Sequence, residues 1–224
     1  MSNTDSFIDE VTEDLRRDKL FATYRRYGWI AGLLVVVIVG GAAFNEWNRA
    51  QNRAAAEAFG DEVFTALEMG DDAERLAALQ AIEAPDDGGP LVTLLAAAEA
   101  TTAEEFDTAA AALRALADNP ELPLVYRDLA NLRLVLMGSV ALGPEDRLAR
   151  IEALSTPGGA FRQIAREQQA LLFIEQGEKD AAMELLTAIA EDASSTSGQR
   201  QRAAQLVVSL GGSFEDLNLG QSNP

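Results

Sequence analysis

REQQALLFIEQGEKDAAMELLTAIAEDAS, residues 166–194, reads as two short helices folded back on one another. Gly177 interrupts an otherwise helical stretch, and a glycine at that point supplies the left-handed conformation that ends a helix. Ahead of it stand small Ala170 and aromatic Phe173, and behind it small Ala182, large Leu186 and apolar Ile189. Those positions recur every three to four residues, so each segment carries one apolar stripe that needs a neighbour to cover it. The small residues let the two helices approach, and the bulky ones fill the layer between one pair and the next. The spacing predicts helices over 158–176 and 178–192.

Working outward, the same reading extends along most of the chain. Helices are predicted near 45–69, 71–83, 90–101, 103–118, 123–137, 144–154 and 197–210. Their apolar stripes run through Phe59, Val63 and Leu67; Val125, Leu129, Leu132 and Leu136; Met183, Leu186 and Ala190; and Ala203, Leu206 and Leu210. Pro90, Pro120, Pro123, Pro144 and Pro157 fall between these stretches, several where a helix would start. No stretch alternates with period two over strand length. Units beginning near Leu91, Leu124 and Phe161 lie 33 and 37 residues apart, the spacing of helix-turn-helix solenoids. The order of small and large residues in 166–194 resembles the tetratricopeptide pattern, and 91–120 fits it more loosely through Ala96 or Ala97, Ala109 and Leu113. The expected fold class is all-α: a single N-terminal transmembrane helix followed by a tetratricopeptide-like α-solenoid of helix hairpins.

The membrane expectation comes from residues 27–45, nineteen positions without a charge. At about 1.5 Å per residue, that run reaches ~28 Å, close to the hydrocarbon thickness of a bilayer. The span is expected over 28–45, including Gly28, Trp29, Gly32, Val36, Gly40 and Phe44, with Tyr27, Trp29 and Trp47 at its interfaces. Arg16, Arg17, Lys19, Arg25 and Arg26 precede it, while Arg49 and Arg53 follow closely. That asymmetry places the N-terminus in the cytoplasm and the remainder outside. Gly28, Gly32 and Gly40 share one stripe where a second transmembrane helix could approach. The arm 1–27 reads as amphipathic through Phe7, Val11 and Leu15, with Ser6 and Asp9 placed as a capping box. Residues 46–212 form the expected helical domain, and 213–224 a flexible tail.

Composition narrows the chemistry. With no Cys and no His, thiolate zinc sites, disulfides and imidazole bases are excluded. From residue 46 onward there are 30 acidic and 13 basic residues, about −17, a field that repels phosphate backbones. Nucleic acid is therefore not an expected partner. The carboxylate pairs Asp71-Asp72, Glu104-Glu105 and Glu145-Asp146 stand where helices begin and favour the positive end of the helix dipole. No catalytic, metal or phosphate-binding motif is present, and no cofactor or small-molecule substrate is expected. Basic residues are scarce in the distal domain, yet Tyr126, Arg127, Arg133, Phe161, Arg162 and Arg166 gather on the first helices of two adjacent pairs. Arg and Tyr anchor protein interfaces, so these six are the candidate partner groove. The alternative is ion pairing with acids such as Asp128 and Glu167.

Four strings carry a wider resemblance: DLRRDKLFATYRRYGWI (14–30), FNEWNRAQNRAAAEAFGDEVFTAL (44–67), ALADNPELPLVYRDLANLRLVL (115–136), and the segment from FRQIAREQQ to VVSLGG (161–212). Together they resemble the ancillary Sec-translocon subunit (YfgM-like) family of membrane-anchored periplasmic tetratricopeptide-repeat proteins, in its alphaproteobacterial branch. The resemblance implies a single-pass protein of the bacterial inner membrane with a periplasmic repeat domain. It also implies association with the Sec translocon and a periplasmic chaperone, and no catalytic residues. The expected function is a non-enzymatic scaffold for other proteins. An envelope, cell-division or respiratory-complex assembly factor built on the same domain is the alternative.

Overall fold

Alanine at a helix contact lets two backbones close up, and leucine or isoleucine beside it fills the space left over. The computed structural model of this chain follows that division of labour. It describes residues 3–85 and 88–213, with side chains described from Trp29 onward except at Ala31. The helices are α1 (Asn3–Leu67), α2 (Asp72–Ala81), α3 (Gly89–Thr102), α4 (Phe106–Ala117), α5 (Leu124–Met137), α6 (Pro144–Leu154), α7 (Arg162–Gln176), α8 (Lys179–Glu191) and α9 (Ser197–Ser209). A single 3₁₀ turn, Gly138–Val140, follows α5, and there is no strand among the described residues. The amphipathic character expected for 1–27 and the tail beyond Ser213 lie outside what is described. Ser6 does not cap a helix, because α1 is already under way at Asn3.

The chain divides into two units, Met1–Gly60 and Asp61–Pro224. In the first unit α1 runs without a break, and its large apolar residues from Ile30 to Trp47 are uncovered. A Cβ added at Gly32 or Gly40 would meet nothing within 4 Å. Phe44 and Trp47 make a tilted ring contact at 6.3 Å. Among the described residues no helix is long and apolar enough to cross a membrane. The expected span of 28–45 falls partly outside the described side chains, at Gly28 and Ala31.

In the second unit, α2 to α9 pack in chain order, each on its sequence neighbours. Four apolar clusters follow one another. Ala66 at the end of α1 joins Leu76, Leu79, Ala96, Ala100 and Ala109. Leu94, Ala97, Leu113, Ala130 and Leu134 centre the next, and Leu132, Val135, Ile151, Ala165 and Leu172 the third. The last holds Ala170, Leu186, Ile189, Ala203 and Val207. Each fully buried Leu or Ile contributes about 1.5–3 kcal/mol on transfer alone. On α9 the polar Gln201, Arg202, Gln205 and Ser209 are exposed, so the last helix closes the stack with a solvated face.

The sequence register holds best in two hairpins. Ala97, Ala109, Leu113, Leu116 and Ala117 in α3–α4 occupy the places of Ala170, Ala182, Leu186, Ile189 and Ala190 in α7–α8, and all ten are buried. Their turns also match. Gly177 (φ 79°) lets the Glu178 N–H donate to the Phe173 carbonyl at 2.8 Å, while Glu104 (φ 62°) lets the Glu105 N–H donate to the Ala100 carbonyl at 2.8 Å. Both are the left-handed helix stop that glycine normally provides. Because Glu104 stops α3 in this way, α4 starts at Phe106 rather than near 103. Likewise Pro157, Gly158 (φ 81°) and Gly159 form a connection, and α7 starts at Arg162 rather than 158.

The middle hairpin, α5–α6, departs from the pattern. Residues 138–143 separate its helices, so the buried alanines opening the three pairs, Ala97, Ala130 and Ala170, are 33 and 40 residues apart. On α6, Arg147 is 5% exposed, a charged residue where the other pairs bury aliphatic ones. Its Nη1 donates to Glu175 Oε2 at 2.5 Å, and its Nε has no partner.

Candidate functional site

The six residues expected to form a partner groove separate into two groups. Tyr126, Arg127 and Arg133 belong to α5, while Phe161, Arg162 and Arg166 stand at the start of α7. Tyr126 is half-buried against the second apolar cluster and Phe161 against the third, so both rings serve chiefly as packing. Arg162 and Arg166 turn toward the end of α8, reaching Asp192 Oδ2 at 4.0 and 3.1 Å. Gln163 donates to the same oxygen at 3.0 Å, and Ser194 donates to Oδ1 through its N–H at 2.8 Å and its hydroxyl at 2.6 Å. These hydrogen bonds, Ser194 and Gln163 foremost, hold the Asp192 carboxyl well below the usual carboxylate range. The cluster ties the two ends of one hairpin together, which is the ion-pair alternative raised by the sequence, with Asp192 as the acid.

Most other arginines of the repeat region are likewise committed. Arg202 meets Glu167 through two bonds, Nε at 2.7 Å and Nη2 at 2.8 Å, which raises its pKa further. Arg75 pairs with Glu99 and Asp72, Arg150 with Asp118 and Asn131, and Arg147 with Glu175. Arg114 and Arg200 donate to the carbonyls of Ala141 and Ser195. From Arg75 to Arg202 only Arg127 and Arg133 lack an acceptor among the described residues. Arg127 Nε is buried without a hydrogen bond, and Arg133 is exposed.

Helix α5 also corrects the sequence reading of its own core face. Val125 and Leu136 belong to the stripe expected to be buried, yet they are 58% and 54% exposed. The face that is covered runs through Ala130, Leu132, Leu134 and Val135. Val125, Arg133 and Leu136 are exposed along one side of α5, with half-buried Leu129 between them packed on the second cluster, and Val140 (54% exposed) follows in the 3₁₀ turn beyond Gly138 (φ 66°). That line ends at a concavity of about 530 Å³ lined by Glu104, Glu105, Phe106, Asp107, Thr108 and Val140. Its three carboxylates have no ion-pair partner among the described residues. A second concavity of about 410 Å³, between α2, α3 and α4, is bounded by Leu79, Ile82, Val92 and Ala96.

Of the three acidic pairs at helix starts, Asp71 accepts from the N–H groups of Ala73 at 3.0 Å and Glu74 at 3.1 Å and so caps α2. Glu145 and Asp146 occupy the first turn of α6. Both placements are helix-terminal roles. Glu104 and Glu105 bridge α3 and α4.

A stack of antiparallel helix hairpins with alanine contacts and left-handed turn residues defines a helical-repeat scaffold. A match to the tetratricopeptide repeat-like domain covers residues 22–182, and the chain belongs to that family. No curated protein and no solved structure matches the chain. Domains of this family are typically non-catalytic and serve protein–protein interaction.

Proposed function

We propose that this protein is a non-enzymatic, single-pass scaffold of the bacterial inner membrane whose helical repeats, on the periplasmic side, hold other proteins near the membrane surface. The observation that carries the anchor is the charge-free run 27–45, whose described large side chains are uncovered on every side of α1. Uncovered aliphatic surface of that extent is costly in water and favourable in lipid. The excess of Arg and Lys before the run supports a cytoplasmic N-terminus. The family match supports protein partners, and the resemblance to the ancillary Sec-translocon subunits supports the translocon and a periplasmic chaperone as those partners.

Two measurements test it. The protein should stay with membranes through alkaline carbonate washing, and a phosphatase fused after Pro224 should be active. A carbonate-soluble protein, or a fusion active only as a cytoplasmic reporter, overturns the anchor. Mild crosslinking in the native membrane should recover translocon or chaperone subunits, and recovery of neither overturns the partner assignment.

A further inference from the structure

The exposed side of α5 is distinct from the two groups of three residues nominated from the sequence, only Arg133 being common to both. It rests on the scaffold reading and specifies the partner. On α5 it runs from Val125 to Leu136, roughly 16 Å at about 1.5 Å per residue and about three turns of an opposing helix, with Val140 beyond Gly138 at the rim of the concavity. Val125, Leu136 and Val140 are each more than half exposed, although the rest of the repeat core is alanine-tight. In the middle stands Arg133, a guanidinium without an acceptor among the described residues, where nearly every other arginine has one. At the far end the concavity gathers Glu104, Glu105 and Asp107 around Phe106 and Val140, three carboxylates without a counter-charge among the described residues. They do not form a group able to hold a metal ion among the described residues.

We infer that this face of α5 docks one amphipathic helix of another protein, with an aliphatic seam, a carboxylate opposite Arg133 and Lys or Arg at the end that enters the Glu104–Glu105–Asp107 concavity. The charge pattern selects this occupant. Apolar seams give non-directional attraction, and charges placed along them fix register and direction. A second copy of this chain does not fit: its facing surface would bring a second carboxylate cluster with Arg133 as its single base, within two strongly acidic domains. The segment 214–224 of the chain itself carries Glu215 and Asp216 but no basic residue, so it leaves the concavity unanswered.

The test uses the full chain in detergent and two synthetic amphipathic helices sharing a leucine seam and a central glutamate, one ending in lysines and the other in glutamates. The lysine-ended peptide should bind, and the glutamate-ended one should bind at least about tenfold more weakly, with a gap that narrows as salt rises. Losing two aliphatic side chains that the bound helix would cover, in Val125→Ser with Leu136→Ser, should weaken binding more than tenfold. Arg133→Gln and Glu105→Lys should each weaken the lysine-ended peptide. Leu91→Ser, on α3, should leave binding unchanged. All these side chains are exposed, so an unchanged helical spectrum and melting temperature confirm that the variants fold. Equal binding of both peptides, binding of neither, or binding indifferent to Leu136 overturns the inference. So does concentration-dependent self-association that Leu136→Ser abolishes. A chain that washes off membranes yet binds the peptide overturns the anchor alone, and a membrane-held chain that ignores it overturns this inference alone.

Discussion

Glu104 is the one described non-glycine residue with positive φ, and replacing it by glycine isolates the cost of that conformation. An L-residue in the left-handed region costs about 1–2 kcal/mol relative to glycine. Glycine gives back roughly 0.5–1 kcal/mol through the greater freedom it lends the unfolded chain. The N–H donations of Glu104 to Thr101 at 3.2 Å and of Glu105 to Ala100 at 2.8 Å are backbone bonds and survive the change. The net expectation for Glu104→Gly is a stabilisation of about 0.5–1 kcal/mol, raising Tm by roughly 1–4 °C for a domain of this size. Thermal and urea unfolding followed by circular dichroism at 222 nm, a wavelength that reports helix, provide the reading. Glu104→Ala serves as the control, since it removes the same charge beside Glu105 and Asp107 but keeps the Cβ. If the alanine variant gains as much as the glycine variant, charge relief and not backbone geometry is responsible. A glycine variant that melts lower refutes the reasoning altogether. The mirror experiment, Gly177→Ala, should cost about the same 0.5–1 kcal/mol.

Three further outcomes follow from the other ties. Glu175→Ala leaves the buried Arg147 guanidinium without its counter-charge and should destabilise by about 1–3 kcal/mol, while Arg147→Met should cost less, as compared by urea midpoints. Thr196→Ala removes the side chain that accepts from the Gln199 N–H at 3.3 Å in the capping box opening α9 and should cost about 1 kcal/mol. Asp192 has its folded-state pKa depressed below the ordinary 3.8, so its contribution is fully present above that value and is lost as pH falls through the folded value. Asp192→Asn should therefore lower stability at neutral pH, leave the range from pH 7 to about 5 flat, and reduce the loss on acidification below it. Unfolding curves across the acid range, with the Asp192 carboxyl followed by NMR, check this.

The helix order was legible because the punctuation was strong. Pro90 and Pro144 stand in the first turns of α3 and α6, Pro123 precedes α5, and Gly177 ends α7. The small-and-large order around Ala170, Ala182 and Leu186 described its hairpin correctly because those positions are constrained by backbone approach. Helix α5 defeated the same method. Leu124, Val125, Leu129, Leu132, Leu134, Val135, Leu136 and Met137 spread over most of its circumference, so periodicity does not single out one core face. Arg147 was invisible for another reason: an arginine reads as surface, and its acceptor lies 28 residues away. Of the arginines nominated on α7, Arg162 and Arg166 both reach Asp192. Sequence proximity drew attention to Asp128 and Glu167, whereas the fold brought Asp192 across from the end of the paired helix.

Packing in strict chain order has a consequence for how the molecule is made. No helix from α2 to α9 waits for a distant stretch of polypeptide before finding its principal neighbour, and such topologies fold quickly. Hairpins can close one by one along the chain, each offering the next a finished wall. Loss of order should run the other way, starting where α9 has a neighbour on only one side.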